Sequence, residues 1–175
     1  LGATVETIDF GDSDAVDLAQ VEAALKADTE GRIKAVLTVL VDTSTGVLND
    51  IKGIRDVLDS TGHAALLMCD CIASLGCDEF HMDDWGVDIA VAASQKGLMT
   101  PPGIGFVWFN DKADGVRGTM RRVSRYWDWR PRATGEEYWM LFDGTAPTHH
   151  IYGMREALDM IAEEGLENVW ARHDG

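Results

Sequence analysis

The chain has 175 residues, 46% of them hydrophobic and 26% charged, and a formal net charge of −15. That is the composition of a globular domain long enough to bury a core, and its acidity argues against nucleic acid, whose phosphates attract basic surfaces. No apolar run approaches the roughly 18 residues that a membrane-spanning helix needs, so no membrane partner is expected either.

In chain order, "ATVETIDF" (3–10) reads as a strand. Residues 17–28 carry Leu18, Val21, Ala24 and Leu25 at helical spacing. The β-branched run "IKAVLTVLVD" (33–42) predicts a strand buried on both faces. A helix follows over about 50–59, with Asn49 or Asp50 as its N-cap and Gly62 as its stop. "AALLMCDC" (64–71), "VDIAVAAS" (87–94) and "GIGFVWFN" (103–110) read as further strands, the last two close enough to pair antiparallel. From 111 to 142 the pattern gives way to a long aromatic-rich excursion, a length of loop that is usually functional or covered by a partner. A final helix from Ile151 has Met154, Ala157, Leu158 and Ile161 on the same face and a break expected at Gly165. Alternating strands and helices define an α/β fold with a mainly parallel sheet flanked by helices.

The three cysteines, Cys69, Cys71 and Cys77, are odd in number and lie in an apolar setting. They read as reduced, buried thiols of a cytoplasmic protein. Their spacing is not that of a zinc site. Adjacent His149 and His150 cannot both face one metal from a helix, so polar or capping contacts are expected of them and no metal is assigned. Asp83 and Asp84 read as caps of a turn before Trp85.

Ligands of parallel sheets sit beyond the carboxyl ends of the strands. Here those ends carry Thr43 and Ser44, then Asp70 and Ile72, then Ser94, Gln95 and Lys96. A carboxylate and a lysine in apolar settings each need a partner. One answer is that the two pair with each other; a second is that Lys96 is exposed on a loop. A sharper reading explains both residues. A buried lysine has a lowered pKa and serves as an amine nucleophile toward carbonyls. An aspartate holds a pyridine nitrogen protonated. Pyridoxal phosphate needs both. Thr43 or Ser44 would then hydrogen-bond the ring oxygen, and Gln95 would contact the cofactor.

"DTSTGVLNDI", "LMCDCIASLG", "SQKGLMTPPG" and the closing "THHIYGMREALDMIAEEGLENVWARH" together resemble the alanine–glyoxylate and serine–glyoxylate aminotransferases, class V enzymes of pyridoxal phosphate fold type I. The resemblance implies that Lys96 bonds the cofactor's aldehyde and shuttles a proton, and that Asp70 partners its ring nitrogen. It implies that Thr43 lies near the ring oxygen, Ile72 packs on a ring face and Gln95 is a cofactor contact. It also implies that Thr145 reaches the phosphate bound in a neighbouring subunit of a homodimer. Phe142 departs from the family, whose members often carry a tyrosine there. The substrates implied are a small amino acid, serine or alanine, and a small 2-oxo acid, glyoxylate or pyruvate. On the same resemblance, 1–175 is expected to be the central part of a large cofactor-binding domain, without an upstream phosphate loop or a downstream small domain, and inactive alone. The alternatives are a lyase or cysteine desulfurase of the same fold, a non-catalytic α/β domain, and a nucleotide-binding sheet, weakest because the chain has no G-x-G-x-x-G or P-loop.

Overall fold

The computed structural model describes residues 2–174. Helix α1 (Leu18–Ala27) opens on Asp17, whose carboxylate accepts from the Ala19 amide at 2.9 Å. Its Val21 and Leu25 are buried, and Leu18 and Ala24 are half-buried. Strand β1 (Ala35–Val39) leads to α2 (Ile51–Ser60), where Asp50 is the N-cap and accepts from Gly53 N at 2.7 Å. Asn49 has a different task. Its side chain is buried, accepts from Val16 N at 2.9 Å and donates to the Val39 carbonyl at 3.1 Å, tying the segment before α1 to the end of β1.

Strands β2 (Leu66–Asp70), β3 (Ile89–Ala93) and β4 (Gly105–Phe109) complete one sheet in the order β1-β2-β3-β4. The first three are parallel, and β4 runs antiparallel to β3. Helices α1 and α2 cover one face over a core that includes Leu25, Leu40, Ile54, Leu58, Leu67 and Cys69. Helices α5 (Thr148–Glu164) and α6 (Leu166–His173) share a second cluster, in which Met154, Ile161 and Val169 meet Leu98. Gly165 separates the two helices at φ 86°, as its position in the sequence predicts.

Four expectations need correction. Residues 3–10 form no strand and are exposed apart from half-buried Phe10. Strand β1 is an edge strand and is not buried on both faces, since Leu37 is 73% exposed. The excursion is partly ordered as α3 (Asp111–Thr119), α4 (Arg130–Ala133) and a 3-10 turn (Tyr138–Phe142). Asn110 caps α3, and Trp129 packs back on Phe109, with ring centroids 4.8 Å apart, while donating to Asp114. Leu158 lies off the buried face of α5, at 47% exposure.

Opposite the carboxyl edge, at the start of β3, lies the buried carboxylate of Asp88. It accepts from Leu67 N at 2.8 Å, Asn110 Nδ2 at 2.9 Å and Lys112 Nζ at 3.1 Å, and Arg55 Nη1 stands 3.8 Å away. One side chain thus joins α2, β2, β3 and α3.

Candidate active site at the carboxyl edge of the sheet

The register puts the predicted residues at one end of the sheet. Asp70 is the last residue of β2, beside Val39 of β1 and Val91 of β3. Its main chain is held from both sides: Leu40 N donates to the Asp70 carbonyl at 2.9 Å, and Cys71 N donates to the Val91 carbonyl at 2.8 Å. The half-buried side chain accepts from Ile72 N through Oδ1 at 2.8 Å. Among the described residues Oδ2 has no partner, so one oxygen of a fixed carboxylate remains free to accept. Ile72 itself is half-buried just beyond it.

Thr43 and Ser44 lie in the turn after β1. The Asp42 carboxylate shapes that turn by accepting from Ser44 N, Thr45 N and Thr45 Oγ1, each at 2.9 Å. The Thr45 bonds, with Ser44 N behind them, hold the Asp42 carboxyl below the ordinary carboxylate range. Thr43 is exposed and makes no hydrogen bond through its hydroxyl among the described residues.

Lys96 is exposed, contrary to the expectation of a buried amine, as is Gln95. The chain turns out of the sheet directly after Ser94, so burial ends two residues before the lysine. No ion pair joins Lys96 to Asp70 among the described residues. The loop carrying Lys96 is nevertheless firmly anchored. Its first residue, Ser94, is fully buried; Ser94 Oγ donates to the Pro101 carbonyl at 2.7 Å and accepts from Ile104 N at 3.3 Å. Thr100, also buried, returns two bonds to the Ser94 carbonyl, from Oγ1 at 2.9 Å and from its amide at 3.0 Å. Met99 adopts φ 54°, an unfavourable value for a side chain with a Cβ, and its amide closes on the Lys96 carbonyl at 2.9 Å.

The loops after β2 and β3 touch at Gly97. A Cβ there would lie 2.4 Å from the Leu75 carbonyl oxygen and 2.7 Å from Cys77 Sγ. Gly97→Ala is therefore expected to destabilise by about 1–3 kcal/mol, the cost of overpacking a filled site. A urea-unfolding midpoint indistinguishable from that of the parent would disprove this contact.

The other candidates fall outside this cluster. Thr145 is exposed before α5 and makes no hydrogen bond to Thr43, Asp70 or Lys96. Phe142 packs edge-on against Tyr138. His150 donates to the Pro102 carbonyl at 3.1 Å, bringing the start of α5 against the lysine loop. Asp83 and Asp84 cap nothing: the turn before Trp85 is closed by main-chain bonds, Trp85 N to His81 O and Gly86 N to Asp83 O. Among the described residues no group of three or more His, Cys, Asp or Glu side chains is placed to hold a metal. Cys69 and Cys71 are buried with their sulfurs 3.6 Å apart, and Cys77 is half-buried. The hydrogen bond to Cys71, reinforced by burial, pushes the Cys69 thiol well up, and burial also raises that of Cys77. Sequence reasoning missed Asp88 and the Ser94–Thr100 closure; a carboxylate at the head of the apolar run "VDIAVAA" was the available signal for the first.

A mainly parallel sheet with hydroxyl, carboxylate and amine at its carboxyl edge defines an α/β domain whose candidate site is that edge. All of the chain, residues 1–175, matches the family described as aminotransferase class-V, and the chain belongs to that family. It is 43% identical over 163 residues to a serine–glyoxylate aminotransferase of Methylorubrum extorquens, covering 88% of this chain and 39% of that protein. It is also 43% identical over 152 residues to an L-aspartate–glyoxylate aminotransferase of Paracoccus denitrificans, covering 87% and 38% respectively. Among solved structures, an alanine–glyoxylate aminotransferase from Nostoc sp. superposes with a TM-score of 0.87 at 32% identity, over 98% of this chain and 45% of that one. The chain thus spans less than half the length of these relatives.

Proposed function

We propose that the polypeptide containing this domain is a pyridoxal phosphate-dependent transaminase, moving an amino group from a small amino acid to glyoxylate or a similar 2-oxo acid. The observation that carries this reading is that Asp70, fixed in the sheet with one carboxylate oxygen free, ends the strand beside the one that leads into the anchored loop of Lys96. The residues fit the cofactor: a carboxylate for the ring nitrogen, an accessible amine for the aldehyde, and Thr43, Ile72 and Gln95 around them. When bound, pyridoxal 5′-phosphate supplies an electron sink for the bond that breaks at the substrate's Cα.

The protein's own groups divide the remaining work. The Asp70 carboxylate keeps the ring nitrogen protonated through a charge-assisted hydrogen bond, an interaction that contributes about 1.5–3 kcal/mol. Lys96 Nζ takes the proton leaving Cα and returns it on the far side of the transfer. Thr43 offers a hydroxyl to the ring oxygen and Ile72 an apolar surface to the ring. Thr145, exposed before α5, would be open to the site of a second subunit in a homodimer. The reduced cysteines fit a cytoplasmic location.

The neighbouring desulfurase reading requires a mobile, reactive thiol. Burial and raised thiol pKa make Cys69 and Cys77 poor candidates for that thiol. Serine, alanine and aspartate are the donors to try first, because relatives act on glyoxylate with each. The test is borohydride reduction of the complete encoded polypeptide after incubation with pyridoxal phosphate, then digestion and mass spectrometry. A phosphopyridoxyl group is expected on the Lys96 peptide in preference to other lysines, together with glyoxylate-dependent consumption of one of the three donors. Labelling spread evenly over the lysines would overturn the reading.

A further inference from the structure

We infer that Thr100 is a positioning residue for Lys96: its buried hydroxyl, closing on the Ser94 carbonyl, sets where the lysine amine stands. This rests on the cofactor reading above and extends it to a residue outside the cofactor's reach. The argument starts from the exposure of Lys96. An exposed, unpaired lysine on a free loop would sample many directions, and holding it in one has to be done by the backbone beneath it. The loop leaves the sheet at Ser94 and comes back at Thr100, and three bonds join those two ends to each other and to Pro101: Thr100 Oγ1 and N to the Ser94 carbonyl, and Ser94 Oγ to the Pro101 carbonyl.

Thr100 is suited to this by both arms of its side chain. The hydroxyl faces the Ser94 carbonyl. The methyl faces α5, where a Cβ built on Gly153 would lie 3.7 Å from Thr100 Cγ2. His150, one helical turn earlier, fixes the Pro102 carbonyl of the same loop. Ser94 and Thr100 carry no charge and stand too deep to meet a ligand, at 0% and 7% exposure. The positive φ of Met99, inside the closed segment, is the kind of strain that persists only where surroundings impose it.

The discriminating pair is Thr100→Val, which keeps shape and methyl but removes the donor, and Thr100→Ser, which keeps the donor. Two readouts apply to the complete encoded polypeptide. Native-state trypsin cleavage at the Lys96–Gly97 bond reports opening of the loop without any cofactor. Selective phosphopyridoxyl labelling of Lys96 reports the placement of the amine. Thr100→Val is expected to accelerate cleavage and to lower Lys96 labelling relative to other lysines, each about tenfold, the scale of one lost buried hydrogen bond. Thr100→Ser is expected to behave as the parent in both. The proposal is overturned if the two variants behave alike, or if Thr100→Val speeds cleavage while Lys96 labelling stays at the parent level. Failure of the cofactor reading would instead be visible in the parent itself, as unselective labelling, and would remove the positioning role with it.

Discussion

Lys96→Ala is expected to abolish transamination while leaving the fold intact. The two halves of that expectation have separate physical grounds. Lys96 is exposed and makes no ion pair or side-chain hydrogen bond among the described residues, and substitutions of that kind usually alter stability by no more than about 0.5 kcal/mol. The loop that carries it is closed by Ser94, Thr100 and the Met99 amide, none of which involves the lysine side chain. Turnover, on the proposed function, would lose the group that moves the Cα proton, a contribution on the order of 10²–10⁴-fold. Lys96→Arg should not rescue it, since a guanidinium stays protonated and cannot accept that proton. The measurement is kcat of the complete polypeptide with glyoxylate and its best donor, alongside thermal melting. Near-parental kcat in Lys96→Ala would remove the lysine from the mechanism and the transaminase reading with it.

The parts of this site that could be read from sequence are those that depend on strand order and residue chemistry. Hydroxyl, carboxylate and amine each follow a β-branched or apolar run, and parallel pairing brings such ends together whatever the loops do. The sequence could not show which runs lie at the edge of the sheet. "AVLTV" is apolar but for Thr38, yet Leu37 is exposed on β1, which lies at the edge of the sheet where one face is left uncovered. Residues 3–10 have strand-like alternation but no strand beside them among the described residues, and a strand gains little without one. Helix α3 went unseen because Gly115 and Gly118 interrupt it and no apolar stripe marks it; the local signals were the capping Asn110, Asp111 and Asp114 in the first turn and Arg117 in the last. The exposure of Lys96 runs against the argument that first drew attention to it. The placement rests on the strand alone: a lysine three residues past the end of β3 follows the strand beside Asp70's whether or not its amine is covered.

Asp88→Ala is expected to cost about 3–5 kcal/mol of folding stability, the range for removing one partner of a buried ion pair. The carboxylate satisfies Leu67 N and Asn110 Nδ2 within the protein and faces both Arg55 and Lys112. Its loss leaves an amide and a carboxamide without an acceptor. It also removes one of the two carboxylates facing Arg55, whose side chain is 12% exposed, leaving it Asp59 alone. Lys112→Met should cost far less, because Lys112 is 41% exposed and its two bonds, to Asp88 and to the Ala65 carbonyl, lie where water can reach. Urea unfolding of the two variants measures the contrast, and equal, small losses would mean that Asp88 is no hub. Asp88 begins the strand whose other end delivers Ser94 and the lysine loop. It therefore acts on the site through the population of folded molecules, and kcat per folded molecule should be unchanged. A loss of kcat in molecules shown to be folded would mean instead that strain at the head of β3 reaches Lys96 along the strand.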